Sequence, residues 1–423
     1  MSKKIKIMML SDHPLSPSGV GTQTRYIIEG LLKTGKYSFV CLGGAIKHPD
    51  YKPQKMDEYG DDWIIWPVDG YGNPEIIRSL LRTHRPDVLW FMTDPRFYEW
   101  LWAMEDEIRP LVPMIYYHVW DNYPYPTFNS KYYDSTDVIA SISRVTNDIV
   151  ANVSPEVELH HIPHAVNSEI FQKIDPVLIK KFREEHFSNN NLDPDRFIFF
   201  WNNRNARRKQ SGSLLFWFKE FLKAIGDETK ASLVMHTDPR DAHGQDLNAI
   251  LKHLDLTEGQ VILSAQKVES EQLSILYNVA DCTINVADAE GFGLATFESL
   301  SCETPIIVNM TGGLQEQVTD GENFFGIGIE PASKAVIGSQ DVPFIYEDRV
   351  SQEQVVNAML EMYNKTPEER AILGKAGGDY VRQNYNFEKF VTTWDELFTS
   401  VHERYGSWEG RKLYSPWKVK EVV

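Results

Sequence analysis

The sequence predicts an α/β protein built from two doubly wound, parallel-sheet domains. Three observations carry this. Short apolar runs of about 4–7 residues recur along the chain, rich in Val, Ile and aromatics and without strict polar alternation, like strands covered on both faces by helices. Amphipathic stretches of helical period lie between them, the strand–helix–strand repetition of doubly wound folds. The alternation begins twice, so there are two such domains.

The first series of runs falls at 5–10, 39–42, 87–92, 114–120 and 138–143. The second falls at 197–201, 232–236, 261–264, 282–286 and 305–309. Helical patterns at 22–33, 74–85, 212–225 and 270–279 separate members of each series. Between the two, His161-Ile162-Pro163-His164-Ala165-Val166 leads to a charged helix and the polar cluster 188–195, which puts a boundary near residue 166. We therefore expect an N-terminal Rossmann-like domain over 1–166, a second over 167–385, and a C-terminal helix and tail over 386–423. The last helical pattern, 387–405, precedes a tail with Trp408, Tyr414 and Trp417; so many aromatics point to a docked tail that crosses back to the first domain.

The 423 residues carry 43 Lys+Arg against 60 Asp+Glu, a net charge of −17, with 42% hydrophobic residues. This balance excludes a disordered chain and disfavours a general binder of nucleic acid or anionic membrane. Cys41, Cys282 and Cys302 are too scattered for a disulfide framework or a zinc site. The start, MSKKIKIMMLSDHP, lacks the cleavage site and apolar length of a signal peptide, and no run reaches the ~20 apolar residues of a membrane span. A soluble, cytoplasmic protein is expected.

Three junctions can carry chemistry. The first follows the first strand: Ser18-Gly19-Val20-Gly21, where Gly19 and Gly21 allow close backbone approach and the following helix points its positive end at an anion. A tight turn that merely needs glycine fits as well, because Thr24 breaks the full dinucleotide fingerprint. The second, Arg204-Asn205-Ala206-Arg207-Arg208-Lys209, places four cations after a buried strand, where α/β domains bind ligands. Arg204 as a fork and Lys209 as a point charge suit a diphosphate; a solvated charge cluster is the plainer reading. The third, Asp288-Ala289-Glu290-Gly291-Phe292-Gly293-Leu294-Ala295-Thr296-Phe297-Glu298, runs from strand through a Gly-bracketed turn into a helix. Amides at the helix start suit phosphate or hydroxyl groups, and Glu290 and Glu298 offer carboxylates at two depths. The plainer alternative makes Glu290 a cap and Glu298 an exposed helix residue.

This third stretch, followed by Cys302-Glu303-Thr304-Pro305 and Thr311-Gly312-Gly313-Leu314, resembles the retaining GT-B glycosyltransferases of family 4 (group 1). The Ser18–Gly21 loop, the 162–167 linker and the Arg204…Lys209 pair extend the likeness over nearly the whole chain. It implies a GT-B fold, two Rossmann-like domains facing a central cleft, and transfer of a sugar from a nucleoside-diphosphate sugar to a hydroxyl acceptor. By position, Arg204 and Lys209 would neutralise the diphosphate. Glu290 with Gly291, Phe292, Gly293 and Leu294 would hold the transferred sugar, and Glu298 the ribose. Gly19 and Gly21 would close over the phosphates, and His118 would hydrogen-bond the sugar. Ala165, Ala295 and Glu303 depart from the family's usual Gly, Pro and Gly, and Glu303 puts the local helix end in doubt.

No Asp-x-Asp motif falls at any of these three junctions (the one such tripeptide, Asp193-Pro194-Asp195, lies in the polar cluster before the second series), so no metal or other cofactor is expected; the cations and amides would stabilise the leaving group. The resemblance implies front-face attack with retention, in which the leaving phosphate takes the acceptor proton. On the acceptor side, Trp120, Asp121 and Tyr123 are candidates within a stretch holding six of the eleven tryptophans, although such aromatics also fill cores. A saccharide, glycan or small molecule is the favoured acceptor. Two alternatives stay open: a virus-type transferase acting on hydroxymethylated DNA bases, which the net charge disfavours, and a non-catalytic nucleotide-sugar binder on the same fold.

Overall fold

The computed structural model describes residues 3–414, so Trp417 lies outside the described residues. The described chain forms two compact units, one of 3–165 with 388–414, the other of 166–387.

The first unit is built on eight strands: β1 (Ile5–Asp12), β2 (Tyr37–Gly44), β3 (Gln54–Lys55), β4 (Trp63–Pro67), β5 (Val88–Met92), β6 (Met114–His118), β7 (Val138–Ser141) and β8 (Glu158–His161). Their order is β3-β4-β2-β1-β5-β6-β7-β8, parallel throughout except that β3 runs against β4. Ile7–Leu10 are fully buried, the expectation for a central strand packed on both faces. β4 and β8 are missing from the first series of runs. β8 is half-buried to exposed and gives no continuous apolar run, whereas β4 is such a run, Trp63-Ile64-Ile65-Trp66-Pro67, ended by its proline.

The second unit holds β9 (Phe197–Asn202), β10 (Ala231–His236), β11 (Val261–Ser264), β12 (Cys282–Asn285), β13 (Ile306–Asn309) and β14 (Gly326–Ile329) in the all-parallel order β11-β10-β9-β12-β13-β14. A separate antiparallel hairpin, β15 (Ser333–Ile337) and β16 (Ile345–Arg349), follows β14 and has no counterpart in the sequence reading. Both large sheets reverse winding direction at a central strand, β1 between β2 and β5, and β9 between β10 and β12. In such sheets the crevice beyond the carboxyl ends of those strands is the ligand-binding position.

Helix ends follow from caps in the sequence. Ser18 caps Gly19–Leu32 by accepting from the Gly21 amide, and Asn73 caps Pro74–His84, which has proline in its first turn. The helix Phe387–Tyr405 belongs to the first unit from Glu388 on. There Trp394 is fully buried, edge-on to Trp90 at 6.0 Å and Tyr117 at 4.9 Å, while Asp395 accepts from Lys36 (2.7 Å) and Tyr37 (2.6 Å). Past this helix, the Trp408 amide donates to Leu111 O at 2.6 Å, and Arg411 donates to Asp137 at 2.9 Å.

Glu303, just past the helix Leu294–Ser301, has φ +59°, the left-handed conformation for which glycine is the usual residue. Its amide bonds Leu300 O and its carboxylate accepts from Arg382 at 2.9 Å, so the helix still ends in the ordinary way. Because that ion pair is partly exposed and weak, relief of the left-handed strain should dominate. Glu303→Gly is expected to stabilise the unit by up to about 1 kcal/mol in denaturant unfolding; a clear loss of stability would show the ion pair to be the larger effect.

Candidate active site

The second unit brings two of its loops together at the carboxyl ends of β9 and β12. The 203–210 loop leaves β9 and the 286–293 loop leaves β12. Lys209 Nζ is bonded to Glu290 Oε2, and both side chains are nearly buried. Burial raises the Glu290 carboxyl, but the charges of Lys209 and Arg208 outweigh it, leaving the pKa below its ordinary value. Arg208 donates to Ala289 O. The first loop is anchored by the fully buried Asn205, which donates to Gln245 O at 2.7 Å and accepts from Ser211 Oγ at 2.6 Å.

The turn into the helix Leu294–Ser301 depends on glycine. Gly293 has φ +91°, and no side chain caps this helix, so the amides of its first turn lack the usual cap and point out from the positive helix end. Glu290 O accepts from the Gly313 amide at 3.0 Å, and a Cβ at Gly313 would stand 2.7 Å from Gly291 O. That close approach is why the Thr311–Leu314 stretch needs glycine at 313. Phe292 faces inward, 5.0 Å from Phe297, so its ring belongs to the core.

Glu298 sits in the second turn of this helix and accepts from Tyr277 Oη at 2.7 Å; Tyr277 in turn accepts from Asn202 Nδ2 at 2.9 Å. Burial pushes the Glu298 carboxyl up to about 7, against the opposing Tyr277 hydrogen bond. An acid whose folded pKa is raised destabilises the fold as pH climbs from its unfolded value toward the raised one. Glu298→Gln is therefore expected to stabilise the protein by about 1–3 kcal/mol at pH 8 and to change little at pH 4; equal effects at both pH values would contradict the assignment.

A second layer holds these loops. Asp288, 1% exposed, accepts from Gln210 Nε2 at 2.5 Å and pairs with Arg349 Nη1 at 2.9 Å. Burial pushes its carboxyl up to about 6, opposed by Gln210 and Arg349. Arg207 forks onto Glu347 at 2.6 and 2.9 Å. None of Asp288, Gln210, Glu347, Arg349, Tyr277 and Asn202 was singled out from sequence. Asp288 opens the very stretch that drew attention to Glu290, whereas 330–350 has no periodicity to signal Glu347 or Arg349.

Other sequence candidates are placed differently. Arg204 does not join the Lys209–Glu290 pair; it is 60% exposed and donates to Asp241 at 2.6 and 3.1 Å and to His243 at 2.7 Å. In the first unit, Gly19 is exposed at the start of its helix, but Gly21 is buried with its amide bonded to Ser18. A Cβ at Gly21 would stand 2.7 Å from His13 O, so glycine there serves packing. His118 is fully enclosed at the end of β6, its Nε2 2.6 Å from Tyr133 Oη, and burial depresses its pKa to about 3. A sugar contact would need surface that this histidine does not present. Trp120 is 6% exposed and donates to Asn122 O, Asp121 is half-buried, and Tyr123 donates to Asp148 at 2.8 Å.

The carboxyl edge of the first sheet carries exposed rings instead. Tyr51 and Phe97 are about half exposed; His48 lies 5.8 Å from Tyr51 and 5.7 Å from His13, and Tyr71 packs on Phe97 at 4.7 Å. Asp12 accepts from Ser18 Oγ (2.5 Å) and Tyr71 Oη (2.8 Å) beneath them. Among the described residues no cluster of His, Cys, Asp or Glu is arranged to hold a metal ion, and no helix is long and apolar enough to cross a membrane.

Two Rossmann-like units with a charged loop pair at the switch point of the second define the GT-B class of fold. Residues 182–377, a little under half of the chain, match the family model of glycosyl transferases group 1. A D-inositol 3-phosphate glycosyltransferase of Acidothermus cellulolyticus is 34% identical over 82 residues, covering 19% of this chain and 18% of the relative. Its counterpart in Thermomonospora curvata is 40% identical over 62 residues, 14% of each. The chain thus aligns with less than a fifth of the length of these relatives. Among solved structures, sucrose-phosphate synthase of Thermosynechococcus elongatus superposes with TM-score 0.74 at 15% identity, over 95% of this chain and 100% of that one. Anabaena HepE, solved with UDP and glucose, gives 0.69 at 14% identity over 94% and 100%.

Proposed function

We propose that this protein is a retaining, metal-independent glycosyltransferase that moves a sugar from a nucleoside-diphosphate sugar to a hydroxyl of a saccharide, glycan or small molecule. The observation that carries the reading is the Lys209–Glu290 pair in front of the uncapped helix Leu294–Ser301, at the switch point of a parallel sheet. Breaking the bond from the anomeric carbon to the diphosphate loads negative charge on the leaving oxygen. A cation and helix-end amides held in place before the reaction stabilise that charge at no cost of reorganisation. Lys209 takes this role, and Arg204 joins it by exchanging Asp241 for phosphate. Glu290, kept ionised by Lys209, accepts from hydroxyls of the transferred sugar, and Glu298 from those of the ribose. The leaving phosphate takes the acceptor proton, so no separate base is needed. The exposed rings of Tyr51 and Phe97 offer apolar faces on which an acceptor ring can lie. The group 1 match over 182–377 and the HepE complex with UDP support the donor class.

The test is thermal unfolding against a panel of nucleoside diphosphates and their sugar conjugates. A ligand at 100 times its Kd adds about 2.7 kcal/mol to stability. One selective upward shift, lost in Lys209→Ala and weakened in Arg204→Ala, is expected. A flat response across the panel would remove the donor assignment.

A further inference from the structure

The hairpin β15–β16 is the one sheet element outside the two large sheets among the described residues. Its far side is solvent-exposed, with Val336 69% exposed. Its end, by contrast, is stitched into the core of the second unit. Glu347 is 2% exposed and receives the fork of Arg207; Arg349 spans Glu347 (2.8 Å) and Asp288 (2.9 Å). The Asp348 amide donates to Asp288 O at 2.9 Å, Asp348 O accepts from Asn309 Nδ2 at 2.9 Å, and its carboxylate accepts from Thr311 at 2.8 Å. Three consecutive residues of one strand therefore tie together the loop of Lys209, the loop of Glu290 and the loop of Gly313.

We propose that this hairpin is a positioning device for the anion site, with Arg349 and Glu347 fixing Arg207 and Asp288, and through them the two loops that present Lys209 and Glu290. The charges make the device self-contained. Arg207 and Arg349 are balanced by Glu347 and Asp288, so the clamp takes no charge from the Lys209–Glu290 pair two residues away on each loop. Arg349 suits the task because a planar guanidinium can bond two carboxylates at once, which a lysine ammonium does less well. The groups facing Asp288 are Arg349 and Glu347 from the hairpin and Arg207 and Gln210 from the other loop. Arg349 helps keep Asp288 ionised, so its loss raises the pH at which the clamp opens.

The inference rests on the proposed transferase reading for its catalytic consequence, but not for its structural one. Hydrogen exchange of the full-length protein is compared between wild type and Arg349→Ala. Exchange in 203–210 and 286–293 is expected to accelerate at least tenfold, with β9 and β12 unchanged. In turnover with a sugar nucleotide, kcat/KM is expected to fall at least tenfold and its acid limb to move to higher pH, with Arg349→Lys intermediate. Unaltered loop exchange in Arg349→Ala overturns the proposal. If that variant does not fold, Glu347→Gln is read in the same way. Wild type without turnover on any sugar nucleotide would defeat the transferase reading, while loop exchange still decides the positioning role. Val336→Ser, on the exposed side of the hairpin, should leave all readouts unchanged.

Discussion

Glu290→Ala is expected to lower turnover by roughly 10²–10³-fold, the scale for removing one preorganised group at a reacting centre. Nucleoside-diphosphate affinity should move the other way. In the native protein Glu290 neutralises Lys209 at bonding distance. Without that carboxylate, Lys209 and Arg208 face the ligand with uncompensated charge, so a free diphosphate should bind as well or better. Lys209→Ala removes the cation itself and should weaken diphosphate binding and turnover together. Calorimetry with the diphosphate and steady-state kinetics on both variants separate the roles. Full turnover in Glu290→Ala would end the assignment of this carboxylate to the transferred sugar.

The largest stability effect is expected in the first unit. Asp137, 2% exposed, accepts from Arg109 at 3.2 Å, Arg411 at 2.9 Å and the Met114 amide at 2.8 Å. Arg411 is only 4% exposed and Arg109 only 12%. Removing the carboxylate strands a β6 amide and takes one acceptor from each poorly hydrated guanidinium, leaving Arg109 on Glu105 and Arg411 on backbone carbonyls. Breaking a buried pair from one side costs about 3–5 kcal/mol. Both arginines keep other partners, so Asp137→Ala should shift the denaturant transition of the first unit by up to the lower end of that range, and Asp137→Asn by less. Because two units need not unfold together, the transition is best followed by probes in each. A change below about 1 kcal/mol would mean that water reaches the cluster on opening.

What the sequence made legible, and what it hid, divides by burial. Central strands such as β1 and β9 are apolar on both faces, and their runs stand out. The edge strands β8 and β14 are covered only in part and leave no such run, whereas β4, flanked by β2 and β3, is an apolar run that the first series omits. The helices at 19–32, 74–84, 211–225, 270–279 and 387–405 were readable to within a few residues, and caps such as Ser18 and Asn73 sit where the apolar period begins. Those at 144–153, 247–253, 352–364 and 367–384 were not located. At the site, Lys209 and Glu290 were each accessible because each lies just past a strand, but the sequence set Lys209 beside Arg204, and the bond to Glu290 comes from the fold. The partners that hold it were not, since Glu347 and Arg349 are about 60 residues from Asp288 and no local spacing joins them. Aromatic content misled in the opposite sense. Trp63, Trp90, Trp102 and Trp120 are core residues, while the exposed rings of the first unit include Tyr51, Phe97 and Tyr125. His118 at a strand end looked like a ligand-facing group, but Tyr133 closes over it.

The division of the chain sets an order of assembly during synthesis. The first unit takes its Trp394 and Asp395 contacts from a helix that leaves the ribosome only after all of 166–387. Ordinarily the segment made first folds first. Here the segment made first must wait, with Trp90, Tyr117 and the β1–β2 face lacking their cover, while the inserted unit has every residue it needs. A nascent chain halted near residue 386 would therefore carry a finished second unit on an open, aggregation-prone sheet. Release of the last helix would close that sheet and complete the protein in one step.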